Sequence, residues 1–88
     1  MAQFLVILSN RAEKGFKNSE SKMRPRLSEA LDELETNPIP KEKFDVTKIS
    51  GSISNYRIRI RKYRILYSIN WEEKQIKVFD IDKRSDST

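Results

Sequence analysis

The chain contains no cysteine and no histidine, and these two absences exclude several kinds of chemistry. Without cysteine there is no disulfide, no thiolate nucleophile and no thiolate metal ligand. Without histidine the chain lacks the commonest general base near neutral pH and the commonest ligand of transition metals. We therefore expect any catalysis to proceed without imidazole, metal ion or cofactor.

Long hydrophobic segments are also missing. The apolar run from Phe4 to Leu8 is far shorter than a signal sequence or a membrane span, which predicts a cytoplasmic chain with no membrane partner. Of the 88 residues, 36% are hydrophobic and 35% are charged, so we expect one small domain, residues 1–88, with a thin core. Eighteen Lys and Arg against thirteen Asp and Glu give a net charge of +5, which favours a polyanionic ligand.

The first third of the chain predicts one strand and two helices. Gln3–Leu8 is rich in strand formers and indicates a buried strand, and a basic helix over Arg11–Lys17 follows it, capped by Ser9 or Asn10. Gly15 should weaken this helix. The second helix should begin near Lys22 to Arg24 and end before the prolines, because apolar residues recur at helical spacing at Met23, Leu27, Ala30, Leu31 and Leu34.

The remainder of the chain predicts strands joined by turns. After a return to extended structure between Phe44 and Ile49, the strands are Tyr56–Ile60, Tyr63–Asn70 and Gln75–Asp82. The last of these carries apolar residues on both faces. We therefore predict an α+β fold of order β-α-α-β-β-β, in which two N-terminal helices pack on a mostly antiparallel, twisted sheet of about four strands. The uncovered face should be a concave cationic surface.

The strand Tyr56–Ile60 alternates apolar residues with arginine, so one of its faces is cationic. If Arg61 and Lys62 form a two-residue turn, Arg59 lies opposite Arg64 on the next strand, and Arg57 shares their face. Aligned like charges repel each other unless an anion lies across them. The pattern alone leaves two interpretations open, a solvated surface and an anion-binding site.

In their order and spacing, several segments resemble the RelE branch of the RelE/ParE toxin superfamily. These are the helix pair, Lys48–Gly51, Tyr56–Ile60, Tyr63–Tyr67 and Lys83–Arg84, and Asn37–Asp45 resembles archaeal members in particular. The resemblance covers roughly Phe4 to Arg84. It implies a toxin of a type II toxin–antitoxin system that cleaves mRNA in the ribosomal A site without metal, by attack of a ribose 2′-hydroxyl on the adjacent phosphate. The implied partners are a RelB-like antitoxin and the ribosome, with its ribosomal RNA and mRNA.

The resemblance also implies roles for individual residues. Arg57 and Arg59 match the paired basic residues of the family's strand, and Arg64 matches an arginine assigned to transition-state stabilisation. Arg84 resembles a C-terminal arginine that assists the leaving oxygen. Further RNA contacts are expected at Lys48, Arg61, Lys62 and Lys83.

The chain departs from the family pattern at two places. Some RelE toxins use lysine on the first basic strand as general base, whereas Arg57 and Arg59 stay protonated and are poor bases. Many also carry a tyrosine shortly after the C-terminal arginine, where this chain has Ser85–Thr88. The first departure leaves the general base unidentified. The second has two interpretations, weak cleavage or further native residues beyond Thr88. Two alternatives stay open: a ParE-like inhibitor of DNA gyrase, and a non-catalytic module that binds antitoxin or RNA.

Overall fold

The computed structural model describes residues 3–83 and contains one five-stranded mixed sheet and two helices. The elements are β1 (Leu5–Leu8), α1 (Asn10–Lys17), α2 (Arg24–Leu34), β2 (Asp45–Lys48), β3 (Asn55–Ile60), β4 (Tyr63–Asn70) and β5 (Gln75–Lys83). The strand order is β1-β5-β4-β3-β2, with β1 parallel to β5 and every other pair antiparallel. The predicted α+β class is confirmed, although the sheet has one strand more than expected. Neither helix in this part of the chain is long and apolar enough to cross a membrane.

β1 is an edge strand, which corrects the prediction of a buried one. Val6 and Leu8 pack against the core, but Leu5 is 58% exposed and Ile7 is 38% exposed. Each strand of a sheet presents alternate side chains to opposite faces, and only one face of this edge is covered. The uninterrupted apolar run therefore indicated the strand correctly but indicated its burial wrongly.

Helix α1 begins after Ser9, as predicted, and lies directly against β5. The Ser9 hydroxyl accepts a hydrogen bond from the Ala12 amide at 3.1 Å and donates one to the Phe79 carbonyl at 3.1 Å. A Cβ atom placed on Gly15 would stand 1.8 Å from the Ile81 carbonyl oxygen. The helix can approach β5 this closely only because residue 15 has no side chain. Gly15 lowers the intrinsic helix propensity but is required by the packing.

Helix α2 buries the predicted apolar stripe and has Pro25 in its first turn, where a missing amide hydrogen costs nothing. Met23, Leu27, Ala30 and Leu34 are buried in the core. The helix starts at Arg24, whose guanidinium donates hydrogen bonds to the carbonyls of Lys17 and Ser19 and so ties α2 to the end of α1. The stripe, the start and the end of α2 therefore follow from the sequence.

A β-bulge in β5 explains why the sequence predicted apolar residues on both faces of that strand. Leu66 pairs with Asp80 while Tyr67 pairs with Val78, so Phe79 is an extra residue between two ladder positions. Because the extra residue shifts the alternation by one, Ile81 is buried on the same side as Val78. The core of β5 thus faces the helices along its whole length.

The turns at both ends of β4 contain residues with left-handed backbone conformations, Arg61 and Lys74, each with φ of 54°. Residues other than glycine pay roughly 1–2 kcal/mol in this region. We expect Arg61→Gly and Lys74→Gly each to raise the free energy of unfolding, by about 0.5–1 kcal/mol after the larger chain entropy of glycine is subtracted. Urea denaturation measures the change. Lys62→Gly is the control, since Lys62 lacks a positive φ and gains nothing; equal stabilisation by this variant would contradict the explanation.

Candidate functional site

Three arginines lie together on the sheet face opposite the buried side chains of β3 and β4; we call Arg57, Arg59 and Arg64 the arginine face. Ile58 and Ile60 of β3 are buried, so the alternating arginines project to the other side. The two-residue turn pairs Ile60 with Tyr63 and places Arg59 directly opposite Arg64. The structure thus brings together the three strand arginines in the arrangement that the turn requires.

Carboxylates flank the arginine face at both ends of the same row, and the sequence alone did not indicate them. Asp45 of β2 pairs with Arg59, and Asp82 of β5 pairs with Arg64. An ion pair joins Arg64 Nη2 to Asp82 Oδ2 at 3.6 Å. Asp80, two residues before Asp82 on β5, instead forms an ion pair with Arg11 of α1, with 3.3 Å between Arg11 Nε and Asp80 Oδ1. The acids limit the net charge of the face and orient the side chain of Arg64.

Arg64 retains hydrogen-bonding capacity for a ligand. Its Nε is buried, and no residue of the described chain accepts a hydrogen bond from it. A buried donor without a partner costs about 1–3 kcal/mol, which a bound anion would recover. Arg57 is half-buried and Arg59 is exposed, and neither side chain forms an ion pair within residues 3–83. The three guanidinium groups can therefore bind a phosphate.

Lys83 lies at the end of β5 in a small polar cluster on the other side of the sheet. Its Nζ is 3.1 Å from Glu20 Oε2, and the Glu20 amide donates a hydrogen bond to the Tyr63 hydroxyl at 3.0 Å. The hydrogen bond and the charge of Lys83 lower the pKa of Glu20, and the same pair raises the pKa of Lys83. Lys83 is thus charged and already paired with Glu20. Arg84, the predicted partner of the leaving oxygen, lies outside the described residues.

The other cations predicted to contact RNA occupy different positions. Arg61 and Lys62 form the exposed turn between β3 and β4, next to the arginine face. Lys48 pairs with Tyr56, whose ring stacks on Tyr67 on the core side of the sheet. Lys48 therefore belongs to the opposite side and is not brought to the arginine face.

The tyrosines of β3 and β4 are packing residues. Tyr63 and Tyr67 are buried, and the Tyr67 hydroxyl donates a hydrogen bond to the Pro38 carbonyl at 2.8 Å. Burial, with a smaller effect of Tyr56, raises the pKa of Tyr67 well above its ordinary value. The Tyr67 phenol is therefore neutral at physiological pH and unsuited to accept a proton. Trp71 packs edge-on against Phe4, with ring centroids 5.5 Å apart, and covers the core there.

Comparison with known proteins identifies the family to which this arrangement belongs. The sequence profile of the "ParE toxin of type II toxin-antitoxin system, parDE" matches residues 6–88. The chain is 37% identical to the RelE1 protein of Methanocaldococcus jannaschii over 82 residues, which cover 93% of this chain and 91% of that protein. The chain belongs to the RelE/ParE superfamily of toxins.

Solved structures of RelE toxins from an archaeon and a bacterium share the fold of this RelE-family toxin. It is similar to RelE in the archaeal RelE–RelB complex of Pyrococcus horikoshii, with a TM-score of 0.84, 34% identity, and 99% of this chain and 100% of that chain covered. It is also similar to the isolated RelE toxin of E. coli, with a TM-score of 0.78, 25% identity, and 96% and 87% of the two chains covered. The resemblance seen in the sequence is confirmed at the level of family and fold.

Proposed function

We propose that this toxin is a metal-independent endoribonuclease that cleaves mRNA in the ribosomal A site and so inhibits translation in the cytoplasm. The observation that carries the proposal is the convergence of Arg57, Arg59 and Arg64 on one open sheet face. A row of guanidinium groups on one face can bind a phosphodiester and stabilise the charge that develops as it reacts. Family membership supports the same activity, because the chain belongs to a family of toxins and shares its fold with solved RelE structures.

The proposed reaction is an in-line phosphoryl transfer within the RNA strand. The ribose 2′-oxygen attacks the adjacent phosphorus, the bond from phosphorus to the 5′-oxygen breaks, and the product carries a cyclic phosphate. Negative charge grows on the non-bridging oxygens in the transition state, and preorganised cations aimed at them lower the barrier. Guanidinium is suited to this role because its planar fork donates two parallel hydrogen bonds to a phosphate.

The residues of the arginine face have distinct roles in this proposal. Arg64 stabilises the transition state, since its orientation is fixed by Asp82 and its buried Nε lacks a partner. Arg57 and Arg59 hold the phosphate electrostatically, because arginine stays protonated and does not accept the 2′-hydroxyl proton. That proton passes to solvent or to a group of the ribosome. Arg84 is proposed to stabilise the departing 5′-oxygen, which takes a proton from solvent and leaves as a hydroxyl group.

Two partners complete the proposed function. A RelB-like antitoxin keeps the toxin inactive, as suggested by the archaeal and bacterial relatives whose structures are RelE–RelB complexes. The ribosome presents the message, and exposed cations of the β3–β4 turn, Arg61 and Lys62, contact RNA there. Lys48 and Lys83 were also predicted to bind RNA; their positions away from the arginine face restrict them to contacts outside the reacting phosphate.

Primer extension on translated messages tests the proposal. Purified toxin added to a translating extract should produce new 5′ ends within codons, dependent on ribosomes and unaffected by EDTA at levels that leave the ribosomes intact. Free mRNA without ribosomes should be cut much less. Cleavage that is absent from translated messages would refute the proposal.

Inhibition of DNA gyrase is the second candidate, because the matching family profile is described by the ParE toxin. A supercoiling assay separates the two. The endoribonuclease proposal predicts that toxin at concentrations that stop translation leaves gyrase supercoiling unchanged. Loss of supercoiling without any message cleavage would favour the gyrase inhibitor.

A further inference from the structure

A basic cleft lies beyond the arginine face, where the β3–β4 turn meets the start of α2 and the segment before β2. Its charged lining comprises five cations and two carboxylates: Arg26, Lys41, Glu42, Lys43, Asp45, Arg59 and Arg61. The cleft encloses about 410 Å³ and opens to solvent. This volume is within the range of ligand sites, about 300–1,000 Å³, but such sites are usually apolar. The excess of cations favours an anionic ligand.

Two of the cations in the cleft, Arg26 and Lys43, have contacts with other side chains. Arg26 pairs with Glu29 at 3.0 Å, and its guanidinium lies 4.8 Å from the ring centroid of Phe44. Lys43 pairs with Glu33 at 3.2 Å. Because these contacts favour particular orientations of the two side chains, part of the conformational entropy is already lost before they bind a ligand. The contacts also offset part of their charge, so they position the ligand more than they attract it.

The attraction comes from the remaining three cations. Lys41, Arg59 and Arg61 form no ion pair or side-chain hydrogen bond within residues 3–83. Arg59 and Arg61 lie on the same chain segment, two residues apart, and Arg61 is held in a strained backbone conformation that presents it at the turn. An anion in the cleft would meet three cations without an ion-pair partner in residues 3–83, and the two carboxylates of the lining, Glu42 and Asp45, offset only part of their charge.

The basic cleft and the arginine face are continuous, because Arg59 belongs to both. An RNA strand whose reacting phosphate lies between Arg59 and Arg64 therefore enters the basic cleft when the RNA continues past Arg59. A single nucleotide or a free phosphate can occupy only one of two adjoining cationic sites, whereas a polyanionic chain can occupy both.

We propose that the basic cleft binds a backbone phosphate of the RNA strand outside the cleaved codon, with Lys41 and Arg61 as the principal contacts. This inference rests on the proposed endoribonuclease function and adds to it a second, non-reacting phosphate site. Phosphate contacts of this kind fix the register of the strand without reading its bases. The cleft would thus set which phosphate reaches Arg64.

RNA binding by Lys41→Ala tests this inference. Fluorescence anisotropy is measured with a trinucleotide and with a strand of about nine nucleotides, within the usual footprint of single-strand sites. A 2′-deoxy substitution at the reacting nucleotide prevents cleavage in both. We expect Lys41→Ala to weaken binding of the longer strand by about tenfold and to lower its log–log salt slope by about 0.7, with little change for the trinucleotide. Lys41→Arg should retain most of the affinity.

Lys74→Asn is the matched control, since it removes an equally exposed cation at the opposite end of β4 and asparagine tolerates positive φ. It should leave the difference between the two strand lengths unchanged. Equal weakening of both lengths by Lys41→Ala, or no weakening, would overturn the inference, as would displacement of the longer strand by inorganic phosphate at similar affinity. Arg64→Ala separates this result from the proposed function, because cleavage that survives Arg64→Ala refutes the reaction site while the length dependence still reports on the cleft.

Discussion

Replacing Arg64 by alanine is expected to reduce the rate constant of mRNA cleavage by about 10²–10³-fold at saturating ribosomes. The variant removes the guanidinium that Asp82 orients and whose buried Nε has no partner in the described chain. A contact made mainly in the transition state lowers kcat, whereas loss of uniform binding raises KM. Time courses of primer extension at several ribosome concentrations separate the two effects.

Arg64→Lys tests whether charge alone is enough. Lysine keeps the positive charge but lacks the planar fork that donates two parallel hydrogen bonds, so we expect it to recover only a small part of the lost rate. Full activity of Arg64→Lys would contradict the assigned geometry. Wild-type cleavage by Arg64→Ala would contradict the site itself.

The fold of Arg64→Ala should remain intact, which makes its kinetics interpretable. The Arg64–Asp82 pair is partly exposed, with side chains 34% and 48% accessible, and such pairs contribute at most about 1 kcal/mol. The variant also removes a buried donor that has no partner. We therefore expect the denaturation midpoint of Arg64→Ala to be close to that of the wild type. Lys74→Asn is the control, and it should cleave mRNA at the wild-type rate.

The arginine face could be predicted from sequence because two local rules determine it. Alternation along β3 places Arg57 and Arg59 on one side, and the length of the turn sets Arg59 against Arg64. The flanking carboxylates depend instead on long-range register. Asp82 is brought beside Arg64 only because the bulge at Phe79 shifts the pairing of β5, and a one-residue shift exchanges the two faces of a strand.

The basic cleft was not predicted because its residues share no periodic element. Arg26 belongs to a helix, Lys41 to a connector and Arg61 to a turn, and only tertiary packing brings them together. The clearest signal in the sequence was the composition of Lys41–Asp45, which a linear reading can interpret only as a charged connector. The side of the sheet on which Lys48 lies likewise follows from its pairing with Tyr56, not from its charge.

The fold shows the same division between local pattern and tertiary packing. Helix α2 is defined by its apolar stripe and its prolines, so its bounds were predicted closely. The place of β1 at the edge, parallel to β5, depends on a crossover that no short segment encodes. Gly15 is the most informative case, because helix propensity assigns it a cost of about 1 kcal/mol while packing makes it necessary.

Gly15→Ala should therefore destabilise the protein, although alanine is the better helix former. The new methyl group would meet the Ile81 carbonyl at 1.8 Å, and this neighbour is backbone within a strand, which cannot move aside as a flexible side chain would. Overpacking costs about 1–3 kcal/mol and occasionally more. A clash with strand backbone belongs at the upper end of this range, and the gain in propensity offsets about 1 kcal/mol. We therefore expect a net loss of about 2 kcal/mol, measured by urea denaturation followed by far-UV circular dichroism.

Lys14→Ala is the matched control for Gly15→Ala, because it introduces alanine at the neighbouring, exposed position of α1. It should change the free energy of unfolding by less than about 0.5 kcal/mol, as surface substitutions usually do. An unchanged or raised midpoint for Gly15→Ala would mean that α1 does not lie against β5 as described.

Gly15→Ala should also affect the arginine face, because Ile81 precedes Asp82, the residue that orients Arg64. Displacement of α1 should lower the cleavage rate per folded molecule. A purely global destabilisation would lower only the folded fraction.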